Sequence, residues 1–222
     1  MTDRRSYAWI VAQQAADPQL SKSDRTAARL KAAAARLLEK SSYNDLRVSD
    51  IAQDADVSQG TFYTYFDNRK GIVRVIFDEY FAILRTAMTS PKPAHEFGKM
   101  RESTETFVKY YRANLGLMRC LRALGEIDVE FAKLKRRLDQ TWFERNTAHL
   151  SRTRLGNEMS QDDIRFAVYA LGAMIEEFLY IRYQNPDPAV VRLARSESDV
   201  ADKLARIWYR ALYLAEPETA AR

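Results

Sequence analysis

Glycine and proline are scarce in this chain, seven and six among 222 residues, and the Val/Ile/Thr alternation of strands is nearly missing. This excludes a turn-rich β architecture and predicts an all-α fold. Cysteine occurs once, at Cys120, so no intramolecular disulfide can form and a reducing, cytoplasmic compartment is expected. Histidine occurs only at His95 and His149. With Cys120 these are the sole nucleophile or metal candidates beyond hydroxyls and carboxylates, and their spacing fits no metal site. The glycines are scattered singly, so no phosphate-cradling loop is present. No catalytic residue, no metal and no cofactor is therefore expected, and the chain reads as a non-enzyme. Long apolar runs are also missing. The longest, Phe166 to Ile175, is about half of the roughly 20 residues that cross a bilayer, so no membrane partner is expected. Gln13, Gln14 and Asp17 interrupt the apolar stretch behind Arg4 and Arg5 too early for a signal peptide.

What is present is ordinary globular material, 46% hydrophobic and 29% charged, enough for one to two packed units. The net charge of +5 favours an anionic partner, and part of the excess lies near the N-terminus. Residues 1–74 hold twelve Lys/Arg against nine Asp/Glu.

Residues 1–20 form an arm ending in Asp17-Pro18, with Arg4 and Arg5 equally readable as a solvated tail or as a minor-groove contact. Ser21 or Ser23 can then cap a helix carrying Leu30, Ala33, Ala34, Leu37 and Leu38 on one side, ending near Ser41-Ser42. A second helix is expected from Val48 to Ala55, a third from Ser58 to Phe66, and a long fourth from Asn68 to about Met88, stopped before Pro91. Further on, two helices separated at Gly116 and Gly125 are expected, then a long one from Phe131 to Leu155 closed by Gly156-Asn157. Next comes a helix apolar on nearly every side, Gln161 to Tyr183, and a last one from Ser198. A helix apolar all round must be buried all round, and a partner subunit could supply the second cover.

The segment Leu46 to Phe66 reads as two short helices around a sharp turn. Val48, Ile51, Ala52 and Ala55 give the first a buried face with small residues for close crossing, Val57 plugs the turn, and Ser58 suits the next N-cap. With Phe62 and Phe66 facing the core at i, i+4, Gln59, Thr61, Tyr63 and Tyr65 turn to solvent. The Ile51-Ala52 pair, the Val57-Ser58 turn and the Gly60-Thr61-Phe62-Tyr63 run ending at Phe66 closely resemble the DNA-binding segment of the TetR family of bacterial transcriptional regulators, over roughly residues 24–74. Two positions depart from the family pattern. Asp56 replaces the usual turn glycine, a site where Asp tolerates left-handed backbone better than most residues. Arg47 stands where a capping Thr is common and cannot cap in the same way.

The resemblance implies a three-helix helix-turn-helix domain over 21–68, following the arm at 1–20, and a helical effector-binding and dimerisation domain over 69–222 joined through the fourth helix. It implies that Ser58, Gln59, Gly60, Thr61, Tyr63, Thr64 and Tyr65 face double-stranded DNA. Gln59 and Thr61 would reach base edges, and the two tyrosines would reach phosphates. Arg69, at the family's usual Lys, and Arg47 would hold phosphate, with Lys22 and Arg25 supplying charge, since Ser58 to Asn68 contains no Lys or Arg. It further implies a homodimer on a near-palindromic operator, and a small, mainly apolar effector met by residues drawn from Phe107, Tyr110, Tyr111, Trp142, His149, Tyr169, Glu176 and Phe178. A repressor released by ligand is the expected function. Activation, or an architectural DNA-binding role without an effector, are the alternatives.

Overall fold

The computed structural model describes residues 3–89, 95–153 and 155–213, and these contain helices and no strand. The helices are α1 Tyr7–Ala16, α2 Lys22–Lys40, α3 Val48–Asp54, α4 Gln59–Tyr65, α5 Arg69–Met88, α6 Glu96–Ala113, α7 Leu115–Ile127, α8 Val129–Leu150, α9 Leu155–Glu158, α10 Gln161–Leu179, α11 Pro188–Arg192 and α12 Glu197–Tyr213. They fall into two compact units. One comprises Met1–Arg85 with Tyr110–Lys133, the other Thr86–Lys109 with Leu134–Arg222.

In the first unit α2 is the central helix. Ser21 caps it by accepting from the Asp24 N–H at 3.0 Å, Asp24 complements the first turn and Lys40 the last. Ala28 and Ala32 to Ala35 are buried, and such small side chains let neighbouring helices approach closely: α1, α3 and α7 all pack on α2. The arm is thus largely a docked helix. Tyr7, Ala8 and Val11 are buried, and the Tyr7 N–H donates to Asn114 Oδ1 at 2.7 Å while Asn114 Nδ2 donates to the Arg5 carbonyl. The Tyr7 hydroxyl donates to Glu79 at 2.7 Å, and Lys31 Nζ reaches the other oxygen of that carboxylate at 2.6 Å. Burial and the Glu79 charge push the Tyr7 phenol far above its ordinary range, so it remains a donor. Arg5 pairs with Asp3 at 3.3 Å and Arg4 lies 5.9 Å from the Trp9 ring centre.

In the second unit α12 packs on α6 through Phe97 and Tyr209, with ring centres 5.6 Å apart, and through Arg101, which donates to Ser198 and pairs with Asp202. Trp142 of α8 meets Trp208 of α12 edge-on at 5.9 Å. Phe143 stacks on Tyr169 of α10 at 4.0 Å. Gly172 permits this crossing: a Cβ there would come within 2.5 Å of Phe143 and 3.2 Å of Trp142.

Several helix boundaries differ from expectation. The break between α6 and α7 falls at Asn114, whereas Gly116 lies inside the first turn of α7 and Gly125 within the same helix. Gly116 serves close approach, because any side chain there would meet the backbone of Leu38 and Glu39. The long helix ends at Leu150, and Gly156-Asn157 belong to α9. Helix α10 ends at Leu179 and continues as one π turn, Tyr180–Gln184. The turn 43–45 and α11, whose Pro188 follows the capping Asp187, carry too little periodicity to be seen in advance.

Cys120 is 4% exposed, and burial pushes its thiol up to about 12. Native protein at pH 8 is expected to resist iodoacetamide and to gain one adduct per chain promptly on denaturation. Equal labelling rates in both states would show α7 to be loosely packed.

Candidate nucleic-acid interface

Helices α3 and α4 pack against each other around a four-residue turn. The turn is made by Asp56, at φ 54° the one described non-glycine residue with positive φ, and is held by its N–H to the Gln53 carbonyl and the Val57 N–H to the Ala52 carbonyl. Ser58 Oγ accepts from the Thr61 N–H at 3.0 Å, so the expected cap is formed. Arg47 precedes α3 and makes no side-chain cap, as its chemistry requires.

Ile51, Ala52, Ala55 and Phe62 are buried, which rotates the opposite face of α4 outward. Gln59, Gly60, Tyr63 and Thr64 are exposed and Thr61 and Tyr65 half-buried. One short helix thus presents an amide, two methyl-bearing threonines and two phenols, the mixture that suits a major groove and its phosphates. Lys22 and Arg47 are exposed, while Arg25 donates to the Leu20 carbonyl at 3.1 Å.

The cations near α4 have partners that sequence reasoning missed. Arg69 Nη1 lies within 3.1–3.3 Å of the carbonyls of Tyr43, Asn44 and Leu46, and its guanidinium covers the Tyr43 ring at 4.6 Å. It closes the α2–α3 connection from the start of α5. Lys70 bridges Asp128 at 2.8 Å and Glu130 at 3.1 Å, holding the Asp128 carboxyl below its usual range. Phe131 continues this contact, edge-on to both Phe77 and Tyr43. Arg36 forks onto Asp54 of α3. These pairs join residues 18 to 88 positions apart, so no local spacing announces them.

The family profile described as "Bacterial regulatory proteins, tetR family" matches residues 30–76, which span α3, the turn and α4. Residues 30–76 thus match the DNA-binding domain of the TetR family. It is 26% identical over 195 residues to the HTH-type transcriptional regulator EthR of Mycobacterium tuberculosis, covering 82% of this chain and 84% of that one. It is 40% identical over 48 residues to the dhaKLM operon transcriptional activator DhaS of Lactococcus lactis, 22% of this chain and 26% of the relative. Among solved structures, GusR of Salmonella enterica superposes with a TM-score of 0.71 at 20% identity, over 88% of this chain and 99% of that one.

The chain is therefore a DNA-binding transcriptional regulator whose helix-turn-helix is α3 and α4. Of the side chains considered for an effector, Tyr110 and Tyr111 lie in the first compact unit. Phe107, Trp142, His149, Tyr169, Glu176 and Phe178 lie in the second. His149 is exposed, with Nε2 4.0 Å from Glu96. Glu176 is half-exposed and pairs with Lys135 at 3.3 Å, so its place in an apolar helix is met by a lysine of α8. Trp208, absent from the sequence-based set, has a buried indole N–H without an acceptor, and the Thr147 hydroxyl is likewise buried and unbonded. Among the described residues no helix is long and apolar enough to cross a membrane.

Proposed function

We propose that this regulator is a homodimeric repressor that occupies a near-palindromic operator and leaves it when a small, mainly apolar effector binds its C-terminal helices. The observation that carries the effector part is that Trp208 Nε1 and Thr147 Oγ1, two of the buried polar atoms without a hydrogen-bond partner, lie in a unit otherwise rich in aromatic side chains. A buried donor without a partner costs stability, and a ligand acceptor would relieve that cost. Because an indole N–H only donates, the matching ligand group is an acceptor such as a carbonyl oxygen.

Dimerisation is supported by apolar side chains left uncovered on the last two long helices. Phe166 is 77% exposed and Tyr169 40% on α10, and Ile207 is 46% exposed on α12. A second copy covering them would form a four-helix interface and carry two α4 helices to successive major grooves. The effector must bind the DNA-incompetent arrangement more tightly, since equal affinity for both arrangements shifts nothing.

Genomic fragments captured by the purified chain at near-physiological salt are expected to share a near-palindrome that Gln59→Ala degrades. Apolar compounds bearing one carbonyl are then screened for release of that fragment. Trp208→Phe is expected to raise the releasing concentration by about fivefold, the worth of one hydrogen bond, with operator affinity unchanged. A screen without any releasing compound would favour constitutive binding. Repression turns into activation if the operator lies where binding assists a promoter.

A further inference from the structure

Helix α4 carries a restricted reading chemistry. No Lys or Arg occurs between Ser58 and Asn68, so the bidentate cation contact to guanine O6 and N7, the commonest specific one, is not available from this helix. The threonine hydroxyls each have a local partner. Thr61 Oγ1 lies 2.9 Å from Ser58 Oγ, and Thr64 Oγ1 donates to the Gly60 carbonyl at 3.2 Å. Each of these residues also carries a methyl group, the group that can meet a thymine methyl. The Gln59 amide is exposed at the first position of the helix, where recognition helices meet base edges, and has no partner among the described residues.

Gly60 adds an independent observation. A Cβ there would meet nothing nearer than Ser58 Oγ at 3.7 Å, an ordinary contact, and its φ is not positive. The fold of this chain has no use for a glycine at that position, where helix propensity favours alanine. A bare, exposed backbone beside Gln59 is explained by something outside the chain approaching it closely.

We propose that the half-site under α4 is a core of A·T pairs, with the Gln59 amide on adenine N6 and N7, the Thr61 and Thr64 methyl groups against thymine methyls, and Gly60 admitting the duplex at short range. This rests on the operator-binding reading above and specifies its base chemistry. Guanine is read elsewhere in the site or not at all.

The test is selection from a random-sequence duplex library by the full chain, by Gln59→Arg and by Gly60→Ala, with far-UV circular dichroism checking that each variant is folded. The wild type is expected to enrich A·T pairs in each half-site, and Gln59→Arg to convert one of those pairs to G·C with a change in relative preference of about tenfold. Gly60→Ala is expected to melt no lower than the wild type while binding the selected site at least about tenfold more weakly, as lost close contacts would produce. A shared site with G·C at the positions under α4, left unaltered by Gln59→Arg, would overturn this inference and leave the operator reading standing. A wild-type pool with no shared site would overturn both.

Discussion

Phe62→Ala is expected to destabilise the first compact unit by about 3–5 kcal/mol and to weaken operator binding by about 100-fold or more. Phe62 is 0% exposed, the sole buried residue of α4, and its ring lies 5.8 Å from that of Phe66. A seven-residue helix is far below the length at which helices persist in water, so α4 exists because this ring is buried against the rest of the unit. Truncation leaves a cavity beneath the helix and removes the contact that sets its rotation. Gln59 and Tyr63 then no longer face outward in fixed register. Denaturant unfolding and hydrogen exchange together check this: exchange at α4 amides should accelerate while α10 and α12 keep their protection. Operator affinity within about threefold of the wild type would show that α4 holds its pose without the ring.

The helix-turn-helix was legible because each part of it is set by near neighbours. Ser58 caps a backbone N–H three residues away, Asp56 bears its own φ, and the i, i+4 pair of Phe62 and Phe66 decides which face of α4 is outside. The features that escaped are those whose partners are remote. Local sequence places Tyr7 in an arm, but Asn114, 107 residues later, anchors it as a helix. The resemblance makes Arg69 a phosphate ligand, and its contacts with the 43–46 carbonyls show it also as a brace whose removal would disturb α3 as well as any phosphate contact. An Arg69→Ala variant therefore reports on folding and DNA affinity together, and is a poor probe of phosphate binding alone. Gly116 reads as a helix break because a glycine required by a crossing looks the same in sequence as one required by a turn.

Gly116→Ala is expected to cost about 2–3 kcal/mol, the range for overpacking a tight site, and with it about 6 °C in Tm for a chain of this size. The added Cβ would collide with the Leu38 carbonyl oxygen and lie 2.5 Å from Glu39 Cα and 2.6 Å from Glu39 N. All three are backbone atoms in the last turn of α2, where no side-chain tip can swing aside. That turn is further pinned by Arg119 Nη2 donating to the same Leu38 carbonyl at 3.0 Å and by Glu39 accepting from the Gly116 N–H at 2.9 Å. Relief would require α7 to withdraw from α2, exposing Leu117, Cys120 and Leu121 and breaking the Glu39 cap. The measurement is thermal unfolding beside Gly60→Ala, whose Cβ meets no atom closer than 3.7 Å and which therefore supplies the same substitution without the collision. Melting of both variants within about 1 °C of the wild type would refute the close crossing of α7 on α2. A large loss confined to Gly116→Ala would place the support of the helix-turn-helix in that crossing, since α2 is the helix on which α3 also packs.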